Sequence, residues 1–240
     1  MDTINLTVRC LAYGGKFIGK GMNFAQVTIT EARTGTKLAS GIANQYDTSI
    51  SGDGSGILRD IMTQPYLWGT PVNPETAASF TAPIKVTQPM QIIITASVLA
   101  TDNSTLGSVT LLRWVFPGVD MTGKKAVQAV IQGLVASLLP GKPLPAGTAQ
   151  PVTAYVTMMC GCKIDNVNWP GDDFDVMATL TLGNNSQSVP LIYVTTPPGT
   201  VSTFTGTWTP KSAGNYSVSI TVVQRSNGNT AFASGNISVL

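Results

Sequence analysis

Residues 208–218 read Trp208-Thr209-Pro210-Lys211-Ser212-Ala213-Gly214-Asn215-Tyr216-Ser217-Val218 and join a Pro-containing turn to a strand. In this strand the large residues Tyr216 and Val218 alternate with small polar ones, which is the period of a strand with one buried face. Similar stretches recur on both sides and are separated by Gly-, Pro- and Asn-rich turns. They are Val152–Cys162, Asp175–Leu182, Ser188–Val194, Thr200–Trp208, Gly214–Val223 and Thr230–Val239. Residues 151–240 are therefore predicted to be all-β.

The first half of the chain carries the same signals. Its predicted strands are Ile4–Leu11, Ala25–Thr30, Lys37–Ile42, Ile57–Thr63, Phe80–Val86, Gln91–Leu99 and Ser108–Phe116. Short alternating strands with turns between them are typical of a β-sandwich. We predict that this N-terminal sandwich spans residues 1–118, because Pro117 and Gly118 follow its last strand.

Between the two halves the apolar residues change period. They recur with helical spacing at Val127, Val130, Ile131, Leu134, Val135 and Leu138. Thr122 is a suitable N-cap and Pro140-Gly141 a suitable stop, so the pattern predicts a short amphipathic helix. Its apolar stripe would cover an open end of a sandwich or dock on a neighbouring subunit. The Pro-rich residues 140–147 then predict a semi-rigid linker, so residues 119–150 are expected to connect the two domains.

Three resemblances support this plan. The turn and strand of residues 208–218 resemble the final strands of bacterial immunoglobulin-like domains, which implies an immunoglobulin-like sandwich over residues 151–240. Residues 16–19, 25–29 and 34–41 resemble the layout of prealbumin-like and carboxypeptidase-regulatory-like sandwiches. With the Val156–Cys162 motif, the whole chain is similar to uncharacterised bacterial two-domain β-sandwich proteins, and that likeness implies a domain plan without an activity.

The composition excludes several classes of function. Only 11% of the residues are charged and the net charge is +2, so the chain lacks an electrostatic footprint for nucleic acid or for an anionic membrane. No apolar stretch approaches the length of a membrane span. The chain has no histidine, which excludes Ser-His-Asp and Cys-His catalysis and any His-based copper or zinc centre.

Polarity comes instead from Thr, Ser, Asn and Gly, a balance typical of secreted, cell-surface or assembled proteins. We therefore expect an extracellular or cell-surface location. Residues 1–5 lack the basic start and apolar run of a secretory signal. A removed leader, another export route and an intracellular location all remain open.

The candidate site is the sulfur-rich run Val156-Thr157-Met158-Met159-Cys160-Gly161-Cys162-Lys163. If this run is extended, Met158, Cys160 and Cys162 project to one side and Met159 to the other. Thiolates and thioethers select soft metals, so the run predicts a copper site. The acidic residues that follow predict a turn, and an alternative is that Asp172 or Asp173 folds back to complete or orient the sulfur site. Two other interpretations stay open: ordinary buried core, and a Cys160–Cys162 disulfide.

Three functions follow from these observations. The first is a non-enzymatic, self-assembling extracellular protein, forming homo-oligomers or filaments, with copper on Cys160, Cys162, Met159 and Met158. The second is a monomeric copper-handling or electron-transfer module. The third is a thiol-disulfide protein that uses Cys160 and Cys162, which requires one exposed thiol of low pKa.

Overall fold

Strands make up most of the described chain in a computed structural model of the protein, which describes residues 2–14, 25–43, 78–99, 105–159, 162–165, 169–195 and 202–240. The chain divides into two compact units, Met1–Gly133 and Leu134–Leu240. The predicted strand Ile57–Thr63 lies outside the described residues, as does Cys160.

The described part of the first unit contains seven strands. They are β1 Asp2–Tyr13, β2 Ala25–Glu31, β3 Lys37–Ala43, β4 Ala78–Val86, β5 Met90–Leu99, β6 Thr105–Val115 and β7 Val127–Gln132. The described part of the second unit contains seven more. They are β8 Leu134–Leu139, β9 Gln150–Met158, β10 Phe174–Leu182, β11 Asn185–Tyr193, β12 Thr203–Trp208, β13 Gly214–Gln224 and β14 Thr230–Val239.

The first unit is a sandwich of two sheets, with strand orders β4-β1-β7 and β3-β2-β5-β6. Alternate residues of β1, beginning with Ile4, Leu6 and Val8, are fully buried and form one side of its core. Buried residues of β2 and β5, in the other sheet, form the opposite side of this core. Phe80 of β4 packs so closely on Gly41 of β3 that a side chain at position 41 would overlap the phenyl ring.

The predicted helix at residues 122–138 is wrong, because the structure has two strands there, β7 and β8. Val127, Ala129 and Ile131 are buried and alternate with the less buried Gln128, Val130 and Gln132, so β7 follows the period of a strand. Gly133 separates β7 from β8, and the alternation of buried residues does not continue in step from one strand to the other. The apolar residues of the two strands taken together therefore show a spacing that resembles that of a helix. Residues 119–150 thus contribute a strand to each unit, whereas we predicted a separate helical linker.

The second unit has one continuous strand order, β14-β13-β10-β11-β12-β9-β8. β11 connects the two layers: its residues 185–191 pair with β10, and Ile192 and Tyr193 pair with β12. The first and last strands of this order also meet, since Leu138 of β8 packs directly on Gly235 of β14. The strands therefore wrap around a single core.

Aromatic side chains form the centre of that core. The rings of Phe204 and Phe174 lie 6.3 Å apart, edge to face, and both residues are buried. At the start of β13 the hydroxyl of Tyr216 donates a hydrogen bond of 3.0 Å to the carbonyl of Ser212. This is the tyrosine corner of immunoglobulin-like sandwiches. The prediction of an all-β sandwich fold is confirmed.

Candidate functional site

The sulfur-rich segment is a strand end followed by a reversal of the chain. β9 ends at Met158, and the predicted continuation to Cys162 is wrong. Thr157 instead forms an antiparallel bridge with Lys163. The carbonyl of Cys162 accepts hydrogen bonds from the N–H of Met158, at 3.0 Å, and from the hydroxyl of Thr157, at 2.8 Å. These two bonds hold the chain in a tight return, so Cys162 lies across from Met158.

The described sulfurs of this segment differ in exposure. Met158 is 0% exposed within the core of the second unit, and Met159 is 5% exposed. Cys162 is half-buried at the edge of the same core and forms no disulfide. Cys160 lies outside the described residues. Elsewhere in the described ranges, no three His, Cys, Asp or Glu side chains are close enough together to hold a metal ion.

The acidic residues that follow are engaged in other contacts. The carboxylate of Asp173 accepts hydrogen bonds from Gln224 Nε2 at 2.9 Å, from Ser226 N at 2.9 Å and from Ser226 Oγ at 2.6 Å. It therefore fixes the turn between β13 and β14. Asp173, one of the two residues considered as a partner of the sulfur-rich segment, thus makes its side-chain contacts at that turn.

A second candidate site lies on the outer surface of the sheet formed by β11, β10, β13 and β14. Four side chains that face outward there are apolar and exposed: Ile192 73%, Phe232 66%, Val223 41% and Met177 38%. We call this set the apolar face. The strand register places Met177 and Phe232 in one row, with Thr221 between them. Ile192 and Val223 line the same groove as Met177.

Two charged residues lie among the side chains of the apolar face, and one of them, Asp175, is paired with Val223. Asp175 and Arg225 form an ion pair with an Oδ1–Nε distance of 3.6 Å, and their side chains are 66% and 55% exposed. Exposed pairs of this kind contribute little to stability, so both charges are available to a partner.

Three members of the apolar face, Met177, Ile192 and Val223, line a groove of about 870 Å³. Its other lining residues lie on β10, β11 and β13 and in the segments next to them. At one end the ring of Tyr193 packs on Gly171, where any side chain would overlap it. The hydroxyl of Tyr193 donates a hydrogen bond of 2.9 Å to the carbonyl of Ile164. Desolvation by burial raises the pKa of Tyr193, and the negative charge of Asp165 raises it further. Tyr193 is therefore a rigid, neutral wall of the groove.

The same sheet changes character along its strands. Beyond the apolar face the outward side chains are small hydroxyls, such as Thr179 and Ser188, whose oxygens are 3.2 Å apart. Ser219 and Ser234 continue this polar row across β13 and β14. The outer surface therefore has a hydroxyl-rich half and an apolar half, and the apolar half is the part without an evident role in folding.

The sequence analysis identified these strands but missed the apolar face. A signal for it exists: Met177 lies between Val176 and Ala178, and Ile192 follows Leu191. In a strand with one solvent-exposed face, these outward positions should be polar. Consecutive apolar residues instead indicate that both faces of the strand are covered.

The sequence matches no protein-family model and no curated protein. Among solved structures the chain is similar to the fibronectin(III)-like modules of Clostridium thermocellum CbhA, with 10% identity, 99% of this chain and 93% of that chain covered, and a TM-score of 0.28.

A fragment of ICAM-5 spanning ectodomains D1–D4 is similar at 13% identity, with 97% of this chain and 51% of that chain covered and a TM-score of 0.30. The full extracellular region of plexin A4 is similar at 9% identity, with 99% and 27% covered and a TM-score of 0.28. The chain thus spans about half of the first of these two proteins and about a quarter of the second.

In the part of the chain that the structure describes, no helix is long and apolar enough to cross a membrane.

Proposed function

We propose that this protein is a non-enzymatic structural protein that acts outside the cell and binds further copies of itself through the apolar face of its second unit. The exposure of Ile192 and Phe232, 73% and 66%, carries the proposal. Large apolar side chains exposed close together are unfavourable in water, and soluble proteins that keep them generally use them to bind a partner.

The charges beside the apolar face favour a second copy as that partner. When two identical surfaces meet about a two-fold axis, each contact between two residues occurs twice, with the roles exchanged. Asp175 of one copy can then meet Arg225 of the other, and the reverse. Because these residues have opposite charges and are both exposed, the surface is complementary to itself.

The composition supports the rest of the proposal. The absence of histidine removes the commonest general base of hydrolytic enzymes. Only 11% of the residues are charged, and hydroxyl rows such as Thr179 and Ser188 provide the polar surface instead. Surfaces with few like charges repel one another weakly, which favours assembly at high local concentration.

Sedimentation velocity of the full chain, from micromolar to millimolar concentration, tests self-association. We expect the sedimentation coefficient to increase with concentration in the wild type. Phe232→Lys should abolish this increase, because the contact would then bury an unpaired charge in place of an apolar side chain.

Ser234→Lys is the matched control, since it adds the same charge two residues further along the same face of β14. This variant should associate like the wild type. A wild-type chain that stays monomeric throughout the concentration range would disprove the proposal.

We also propose a Cu(I) site formed by Cys160 and Cys162 with a thioether from Met158 or Met159. The observation that favours it is the reversal of the chain, which returns Cys162 to the side of Met158. Thiolate and thioether sulfur are the ligands that Cu(I) prefers. Such a site could be present in an assembled protein or in a monomeric copper carrier.

Elemental analysis of protein purified without reductant or chelator tests the copper site. We expect copper in the wild type and none in the Cys160→Ser/Cys162→Ser variant. Cys10→Ser is the control, because Cys10 is a buried residue of the other unit and its loss should leave the copper content unchanged. Absence of metal from the wild type would leave the sulfurs as core residues.

A further inference from the structure

Arg9 is a buried charge in the middle of β1. The residue is 8% exposed, and its Nε atom is enclosed and has no hydrogen-bond partner. No carboxylate of the described residues forms an ion pair with it. Burial lowers the pKa of Arg9, because desolvation disfavours the charged form.

The side chain of Arg9 lies on the outer side of its sheet. Its neighbours Val8 and Cys10 are fully buried on the core side, so the alternation of β1 directs Arg9 away from the core. On the flanking strands, Arg9 is paired in register with Ser79 of β4 and Gln128 of β7.

Two hydroxyl groups lie next to Arg9 along the outer side of this sheet. Thr7 precedes Arg9 by two residues, and its hydroxyl is 2.8 Å from that of Thr81 on β4. In a pair of hydroxyls one group donates to the other, so the accepting group keeps a proton for a further acceptor. Thr81 is exposed, whereas Leu11, two residues beyond Arg9, is fully buried. Arg9 therefore lies at the border between an open and a covered part of the surface.

We propose that Arg9 and the Thr7–Thr81 hydroxyl pair form a binding site for a small oxyanion, a phosphate, sulfate or carboxylate group that presents two oxygens to the guanidinium. A buried guanidinium is costly when it has no counter-charge, and Arg9 has none among the described residues, so a bound anion would remove that cost. The planar fork of arginine matches two oxygens of such a group. The border position leaves the site accessible on the side of Thr81.

Isothermal titration of the full chain with inorganic phosphate, sulfate and acetate tests this site. Sodium chloride at matched ionic strength measures nonspecific screening. We expect saturable binding of at least one oxyanion with none for chloride, and the preferred anion distinguishes a phosphate or sulfate group from a carboxylate. Binding no tighter than that of chloride for all three anions would overturn the proposal.

Three variants assign the binding to Arg9. Arg9→Met should remove it, and it should fold because an apolar chain of similar length replaces a buried charge that has no ion pair among the described residues. Arg9→Lys keeps the positive charge but lacks the planar, two-pronged guanidinium. It should therefore weaken binding about tenfold or more.

Arg113→Met is the matched control. Arg113 is exposed on β6 of the same unit and donates to its neighbouring carbonyl of Leu112 at 2.8 Å. This variant should bind like the wild type. Circular dichroism verifies that each variant is folded. Unchanged binding in folded Arg9→Met or Arg9→Lys protein would overturn the proposal.

Discussion

The indole ring of Trp208 packs edge-on against the ring of Tyr216, with centroids 4.7 Å apart and an angle of 77° between the planes. Trp208 is the last residue of β12 and Tyr216 is near the start of β13, so this contact holds together the two ends of the connecting turn. Each ring also satisfies its polar atom, Trp208 Nε1 through Gln187 at 3.1 Å and Tyr216 through Ser212. The turn is therefore fixed by packing and by hydrogen bonds.

Tyr216→Phe should destabilise the second unit. The substitution keeps the ring contact with Trp208 and leaves the carbonyl of Ser212 without its donor, so we expect a loss of about 1–2 kcal/mol in the free energy of unfolding. Urea unfolding followed by tryptophan fluorescence measures it. Tyr155→Phe is the control, because the Tyr155 side chain faces outward from β9 and is half-exposed. Equal effects of the two substitutions would contradict the role assigned to Tyr216.

Asp173→Asn should loosen the turn between β13 and β14. The carboxylate accepts three hydrogen bonds from residues 224–226, and an amide keeps one acceptor oxygen without the charge. We expect a loss of about 2 kcal/mol in the free energy of unfolding and faster amide exchange in the turn. Asp172→Asn, at an exposed neighbour, should change stability by less than about 0.5 kcal/mol. An Asp173→Asn variant with an unchanged free energy of unfolding would contradict this account.

Exchanging charges beside the apolar face should reveal a two-fold contact between copies. Arg225→Asp protein alone would place acidic residues against one another, and Asp175→Arg protein alone would do the same with basic residues. Both should therefore associate more weakly than the wild type. Mixed in equal amounts, the two variants restore opposite charges at both contacts, so association should recover.

Sedimentation velocity of the two variants, alone and mixed, measures this recovery. High salt should reduce the difference between them, because the charges are exposed. If the mixture associates no better than the separate variants, Asp175 and Arg225 do not meet across the contact, and a different arrangement of the apolar face is required.

The strands of both units could be predicted because a buried inner surface imposes alternation on the sequence. The prediction of Thr230–Val239 agrees with β14 at both ends. The alternation of buried and exposed residues fails as a guide where one strand follows another out of step. At Gly133 two short strands from different units adjoin, and their combined apolar positions imitate a helix.

The candidate sites were harder to predict because they depend on long-range pairing. Met177 and Phe232 are distant in sequence and share a surface only through the register of β10, β13 and β14. Asp172 and Asp173 were considered as partners of the sulfur-rich segment because they are close to it in sequence, yet the side chain of Asp173 contacts Gln224 and Ser226. Proximity along the chain is a poor measure of proximity between strands.

The stability of the first unit should decrease in alkaline solution because of Cys10. Burial raises the pKa of this thiol to about 12 from its usual value of 9.0. Above pH 9.0 the unfolded chain loses the proton while the native state retains it, so ionisation favours unfolding. Below that pH the thiol has no effect. Between the two values the free energy of unfolding should fall by about 1.4 kcal/mol per pH unit.

Cys10→Val isolates this contribution, since valine fills the buried position with an apolar side chain that does not titrate. Urea unfolding of both proteins at several pH values around 9.0 should give parallel stabilities on the acidic side and a steeper decline for the wild type on the alkaline side. Tyr193, whose raised pKa acts in the same direction at higher pH, is present in both proteins and cancels in the difference. Identical slopes would mean that the thiol of Cys10 ionises as readily in the native state as in the unfolded chain, and hence that the core around β1 admits water.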